Sequence, residues 1–420
     1  MDVGVRQASV ATSAAFVASG FALASWLSRI PQLRDQLHLD PSTLGLVLLA
    51  VSAGAVLALP VAGPVVARLG SRRTAAAAAV LFATGMAVVA VGSAVGVAPV
   101  AAGLFVLGVA TGGWDVAMNV QGTVVERSLG RSLMSRFHAG FSVGTVAGSL
   151  VGTATVAARV PVAVHLAAVA VLVGVAVPAV ARRFVPDRDP AGAGEPATTE
   201  AAGHRRAFSA WRERRTVLIG CFVLAFTFAE GAGNDWIGVA TIDGHGAAPS
   251  VATLAFAAFL TAMTVGRWFG PGLLDRYGRV RVVRAFALAG GAGAVLFVYA
   301  PVTPLAFAGS VLWGLGVSLG FPVGVSAAAN DRNAAAGRVG VVSSIGYCAF
   351  LAGPPAIGFL AEQVTVLRAL TAVAVLLGVA ALCSAVVAPD VAPAATESLD
   401  PPTGRPDNSV YRSVPAAEEE

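Results

Sequence analysis

Lysine is missing from this chain altogether: all 28 of its basic residues are arginine. That uniformity reads as a bias of composition rather than a functional signal. Charge of either sign is scarce as well. Charged residues make up 12% of the sequence against 56% apolar, and the mean hydropathy is +0.77. A soluble domain carries about 25% charged residues, so that class is excluded. Cysteine occurs three times, at 221, 348 and 383, each inside an apolar stretch and far from the others. Such spacing fits neither a disulfide framework nor a metal site, and the three serve as small hydrophobes. There is no phosphate-binding Gly-Lys loop, no strand-borne nucleophile elbow and no metal-ligand cluster, so neither an enzyme nor an ATP-driven machine is expected. The net charge of +5 would point to nucleic acid in a soluble protein. Here the arginines fall in short loops between apolar runs, and no nucleic-acid partner is expected.

What the chain has in abundance is hydrocarbon. Uncharged runs cover residues 8–27, 44–67, 74–114 with a break near 92–99, 139–158 and 160–181. Each unbroken stretch reaches the roughly 20 residues that cross about 30 Å of bilayer as a helix. Six spans are therefore expected in residues 1–184. Residues 185–215 are rich in Pro, Gly and charge and read as a solvated linker. Six more spans follow in 216–388, and 389–420 reads as a disordered tail. The fold class expected is an all-α integral membrane protein of twelve transmembrane helices in two six-helix halves.

The arginines set the orientation. With the N-terminus cytoplasmic, the tails and inward loops hold 23 of them, whereas Arg29, Arg34, Arg159 and Arg368 fall on the other side and Arg267 lies inside a span. That imbalance predicts both termini in the cytoplasm, in a multi-pass protein of the cell membrane. The first run lacks a small-residue cleavage pattern and is the first of many spans, so it is not a removed signal peptide.

The halves also repeat. FVASGFALASW at 16–26 returns as FTFAEGAGNDW at 226–236, an offset of 210, and GPVVARLGSRR at 63–73 returns as PGLLDRYGRVR at 271–281, an offset of 208. Two rocking halves around a central site are a transporter design. At these loops the chain resembles the major facilitator superfamily, whose signature between its second and third helices reads Gly-x-x-x-Asp-Arg-x-Gly-Arg-Arg. The matching residues are Gly63, Arg68, Gly70, Arg72 and Arg73, with Ala67 where the family has its acid. The second copy has Asp275, Arg276, Gly278 and Arg279, with Pro271 at the first glycine. The resemblance implies that these loops gate the cytoplasmic side. Gly70 and Gly278 suit a turn with positive φ.

Within run 4, Gly108, Gly112, Asp115, Ala117, Asn119 and Gly130 look like the pattern of the fucose–proton symporter branch and its bacterial relatives. Runs 10 and 11, SLGFPVGVSAA around Phe321 and SSIGYCAFLAGPPAIG, fit the same branch. Run 1 departs from it, having Leu27 and Arg29 before Pro31 where the symporter carries an acid. The resemblance implies that Asp115 carries the coupling proton and that Asn119 and Phe321 contact substrate.

Position supports part of this independently. Asp115 and Glu230 each sit near the middle of a long apolar run, and each has an asparagine one turn on, Asn119 and Asn234. A carboxylate in hydrocarbon costs several kcal/mol and needs a use or a partner. The uses are proton coupling at Asp115 and Glu230 and substrate binding at Asn119, Asn234 and Trp236. The partners are Arg136 for Asp115 and Arg267 for Glu230. Trp236 serves equally as an interfacial anchor, and His138 as a proton relay or a packing side chain. Glycines at 140, 144, 148 and 152 form an i+4 row that suits a close helix neighbour.

The function expected is secondary active transport of a small polar, sugar-like solute by a monomer in the lipid bilayer. The proton is the coupling ion, and no cofactor or metal is involved. Export of a drug or metabolite is the alternative, and a non-transporting membrane sensor a third.

Overall fold

Apolar length decides where the chain is helical. In the computed structural model, which describes residues 3–131, 133–187, 210–330 and 335–389, twelve helices are long and apolar enough to cross a membrane. They are α1 Gly4–Leu37, α2 Pro41–Leu69, α3 Ser71–Gly92, α4 Val97–Leu129, α5 Met134–Ala157 and α6 Val162–Ala181. The second set is α7 Arg214–His245, α8 Pro249–Tyr277, α9 Arg279–Tyr299, α10 Thr303–Ala328, α11 Gly337–Gln363 and α12 Val366–Val387. Among the described residues no strand occurs. Most of the linker and tail expected from the sequence, 188–209 and 390–420, lies outside the described residues.

Local chemistry explains the ends. Asp40 caps α2: its carboxylate accepts from the Thr43 amide at 2.7 Å and the Ser42 hydroxyl at 2.8 Å, and Pro41 fills the first helical position. Those bonds hold the Asp40 carboxyl below its ordinary range. Between α2 and α3 the chain turns on Gly70 at φ 82, and between α8 and α9 it turns on Gly278 at φ 81. Each of these glycines closes one helix and opens the next. The motif offset in the sequence thus corresponds to a repeated backbone turn that only glycine adopts without strain.

Helix pairing repeats too. In the first half α2 and α3 pack on α4, α1 on α5, and α3 on α6; in the second, α8 and α9 pack on α10, α7 on α11, and α9 on α12. Two seams join the halves, α2 against α11 and α5 against α8. The glycine row of α5 packs on α1. A β-carbon on Gly144 would stand 2.1 Å from the Val17 carbonyl oxygen, and one on Gly148 2.3 Å from that of Phe21. Reciprocally, a β-carbon on Gly20 would stand 2.1 Å from the Phe141 carbonyl oxygen. Missing side chains let the two backbones touch, which is how helices gain contact where lipid removes the hydrophobic drive.

With an even number of spans, the start of α1 and the end of α12 share one face, called here the terminal face. At the opposite, far face the halves meet tightly. A β-carbon on Gly45 of α2 would lie 2.6 Å from the Pro354 carbonyl oxygen of α11, and one on Gly358 would lie 2.5 Å from that of Pro41. One on Gly238 of α7 would lie 2.9 Å from Pro31. Arg34 of α1 forks onto both carboxylate oxygens of Asp243 in α7 and also bonds Asp35. These contacts close the far end of the path between the halves.

Candidate functional site

Asp115 lies two residues from the midpoint of α4, about 3 Å along the axis. Its side chain is exposed although the helix around it is packed. It lies within electrostatic reach of His138 on α5 and of Tyr347 on α11, in the other half. An exposed carboxylate that senses both halves sits in the cleft between them, not against lipid. Since the far face is closed, the way to it runs from the terminal face. Asn119 donates to the Asp115 carboxylate at 3.2 Å and to its carbonyl at 2.8 Å. No ion pair joins Asp115 to Arg136 among the described residues. The carboxylate therefore keeps one neutral partner and an open face.

The second acid is differently placed. Glu230 stands at the middle of α7, and both its oxygens accept from Arg267 Nη2 of α8 at 2.9 Å. Arg267 Nε also reaches the Ser318 carbonyl at 3.4 Å, at the interruption of α10 between Val317 and Gly320. Glu230 is thus an ion-paired carboxylate, as one of the two sequence alternatives had it. The acid–asparagine arrangement of α4 is not repeated: Glu230 is bound to Arg267, and Asn234 Oδ1 is buried without a partner. Asn234 and the adjacent Asp235 line a void of about 10 Å³ together with Leu27 and Pro31, the room of one water molecule.

Tyr347, within electrostatic reach of Asp115, belongs to a row of aromatic groups in the second half. Phe321 of α10 and Tyr347 of α11 have ring centroids 6.5 Å apart, as do Tyr347 and Phe350. Phe321 was legible as a candidate. Tyr347 and Phe350 were not singled out, although both lie in the run-11 segment quoted for its resemblance. Trp236 is fully buried, with its indole Nε1 unpartnered. It presents no exposed surface, to the cleft or to lipid, in this conformation. His138 is exposed, its Nδ1 3.0 Å from the Met134 carbonyl and its ring 5.2 Å from that of Phe16.

The loop residues divide. Gly63 has open space around it, and Arg68, Arg72 and Arg73 are exposed. The first loop, which has Ala67 in place of an acid, receives a carboxylate at Ser71 from elsewhere in the chain. Asp187, just after α6, accepts from the Ser71 amide and, at 2.5 Å, from the Ser71 hydroxyl. The Ser71 hydroxyl also contacts the Gln121 amide of α4 at 2.9 Å, and that amide pairs with the Val185 backbone at 3.1 Å. A carboxylate more than a hundred residues away thus stands at the helix start. In the second copy Asp275 is exposed, Arg276 lies 5.3 Å from the centre of the Tyr277 ring, and Arg279 bonds Asn330 at 3.2 Å and Ser326 at 3.0 Å. Glu126 accepts from the amides of Leu133 and Met134 at 2.6 and 2.7 Å, capping α5.

Arg29 corrects the loop count made from the sequence. It is not in a far-face loop but buried at the interruption of α1, where Nε donates to His165 Nδ1 at 2.8 Å and Nη2 to the Val160 carbonyl at 3.1 Å.

Comparison with known proteins fits this architecture. The family model described as Major Facilitator Superfamily matches residues 10–241 and 236–408. An uncharacterised MFS-type transporter of Yersinia pestis is 31% identical over 375 residues, covering 89% of this chain and 94% of the relative. Among solved structures, a point variant of the nucleoside transporter NupG superposes with a TM-score of 0.75 at 15% identity, over 91% of this chain and 99% of that one. A variant of the E. coli fucose:proton symporter FucP gives 0.60 at 15% identity, over 92% and 100%. At such identities the two structures show the shared fold.

Proposed function

The chain belongs to the Major Facilitator Superfamily, and from that premise we propose that it couples proton movement to transport of a small polar, sugar-like solute across the cell membrane. Membership makes it a multi-pass membrane transporter rather than an enzyme. In the proposed orientation the terminal face is cytoplasmic, the conformation described is inward-facing, and a monomer suffices.

The observation that carries the proposal is Asp115, a mid-helix carboxylate open to the cleft and bonded, among the described residues, only to Asn119. Unpaired charge in such a place opposes closure of the cleft around it, because closure removes its water. A proton on Asp115 removes that charge, so the loaded carrier closes and the unloaded one waits. His138, within electrostatic reach, is placed to pass the proton toward the terminal face. Phe321, Tyr347 and Phe350 offer flat apolar faces for the ring of a sugar, while Asn119 offers a polar contact. Two of the structurally similar proteins are named for fucose and for nucleosides, and both solutes contain a sugar ring. Glu230, held by Arg267, acts in this scheme as a charge latch between α7 and α8 that is released when α10 moves.

The test begins with a thermal-shift screen of the purified protein against monosaccharides, polyols and nucleosides, followed by uptake of a labelled hit into proteoliposomes. Asp115→Asn, a permanent mimic of the protonated acid, should abolish accumulation driven by a pH gradient while keeping exchange of labelled for unlabelled solute. Proton-driven accumulation at the wild-type level would remove Asp115 from the coupling.

A further inference from the structure

We propose that the far face carries a second binding site, separate from the transport cleft, for an oxyanion of the phosphate or carboxylate class. The site is built around the buried guanidinium of Arg29. Only 1% of that residue is exposed, yet among the described residues no carboxylate lies within ion-pairing distance of it. Its two hydrogen bonds go to neutral acceptors, His165 Nδ1 and the Val160 carbonyl. Because Arg29 Nε donates to it, His165 Nδ1 is unprotonated and the imidazole is uncharged, so the pair carries one uncompensated positive charge. The third nitrogen of the guanidinium, Nη1, makes no hydrogen bond to the described residues. A buried cation without a counter-charge is among the more expensive arrangements a protein can hold.

Beside it is a cavity of about 350 Å³, lined by Arg29, Gln32, Arg159, Val160, Pro161 and Pro249 among others. That volume falls within the range of small-ligand pockets. Gln32 lines the cavity too, and both polar atoms of its side chain, Nε2 and Oε1, are turned away into the protein without a partner. Buried amides are normally satisfied, and a turn of this side chain into the cavity would bring its N–H groups to an anion held by Arg29. A second cation stands at the rim. Arg159 ends α5 in the left-handed region at φ 56, a position at which glycine or asparagine is usual; here it is occupied by an exposed arginine. Two guanidinium groups and an amide N–H form the donor set that binds phosphate or carboxylate oxygens with charge-assisted bonds.

The position gives the site a consequence. Every wall but one comes from α1, α5, α6 and their connections; the exception, Pro249, is the first residue of α8 in the other half. The cavity is completed by the contact of the halves at the far face. A ligand that binds only the completed cavity stabilises the far-closed conformation by its difference in affinity. The anion class could be met by a free phosphate or by a lipid phosphate at the bilayer edge, and the experiment separates the two.

The full-length protein is placed in nanodiscs of phosphatidylcholine alone or with phosphatidylglycerol, and inorganic phosphate or acetate is titrated while melting temperature is followed. A saturable rise in the phosphatidylcholine discs, with affinity weakened about tenfold by Arg159→Gln and by Gln32→Leu, supports a free-anion site. A rise caused by phosphatidylglycerol alone, and lost in the same two variants, supports the same site with a lipid headgroup as occupant. Both substitutions lie at the cavity wall rather than at the Arg29–His165 junction, and the melting temperature of each variant without ligand checks that the fold is retained. No stabilisation by phosphate, acetate or phosphatidylglycerol overturns the proposal, as does stabilisation of equal size in wild type and both variants.

Discussion

Asp243→Asn should loosen the far face by an amount that the geometry bounds. Asp243 takes two contacts from Arg34, one of them 2.9 Å, and the side chains are 38% and 13% exposed. Two unit charges about 4 Å apart at an effective dielectric of 20 attract by about 4 kcal/mol before any desolvation is subtracted. Exposed pairs retain only about 0.2–1 kcal/mol of such an attraction, and forked, partly buried arginine pairs retain more. About 1–2 kcal/mol is the reasonable net value. It does not reach the penalty of a stranded charge, because Arg34 keeps Asp35 at 2.6 Å. Since the contact joins α1 to α7 across the closed end, its loss should move the far-open population up by about 5- to 30-fold. Spin labels at Ala94 and Val302, exposed loop positions on the far side of the two halves, report this as a longer distance component. The native cysteines at 221, 348 and 383 are exposed and are replaced first. A double-mutant cycle with Arg34→Gln should show coupling, so that the second substitution adds little to the first. Unchanged distances in Asp243→Asn, or additive effects in the cycle, would refute the role of the Arg34–Asp243 pair in holding the far face closed.

Three further outcomes are expected. Valine at Gly70 or at Gly278 should cost about 1–3 kcal/mol each through a positive φ that β-branched residues resist, seen as lower melting temperature and transport, whereas Gly63→Ala, with open space around it, should be silent. Glu230→Gln should destabilise more than the double variant Glu230→Gln/Arg267→Gln, since the single change strands a part-buried guanidinium at up to about 3 kcal/mol; the order of melting temperatures checks this, and the reverse order counts against the pair. Reporter fusions at Arg72, Ala197 and the C-terminus should read cytoplasm and one at Leu39 outside, and an outside signal at Ala197 would break the proposed orientation.

How much was legible depended on whether the information was local. Run length, glycine at 70 and 278, and the i+4 glycine row of α5 are local properties, and they anticipated the helices, the paired turns and the close α1–α5 packing. Asp115 was legible because an acid in a hydrocarbon run stands out by its cost. The Glu230–Arg267 pair was one of two open alternatives, and no local rule could choose between them. Asp187 was invisible as a partner of the first loop, because nothing in its own neighbourhood connects it with Ser71, 116 positions earlier. Arg29 was misplaced for a related reason. A charge near the end of an apolar run looks like a loop residue until the chain is seen to continue beyond it as helix.

The sequence by itself determined that this chain lives in a bilayer, that it crosses it twelve times and that its halves repeat, because the hydrophobic cost of each residue is paid locally and in sequence order. Which charges are paired was decided only by tertiary structure. Helix packing brought Arg267 to Glu230 and Arg34 to Asp243, left Asp115 with an asparagine, and left Arg29 with no carboxylate partner among the described residues. Coulombic partners are chosen by distance across helices, and that distance is set by how small residues let the helices approach, not by the order of residues along the chain.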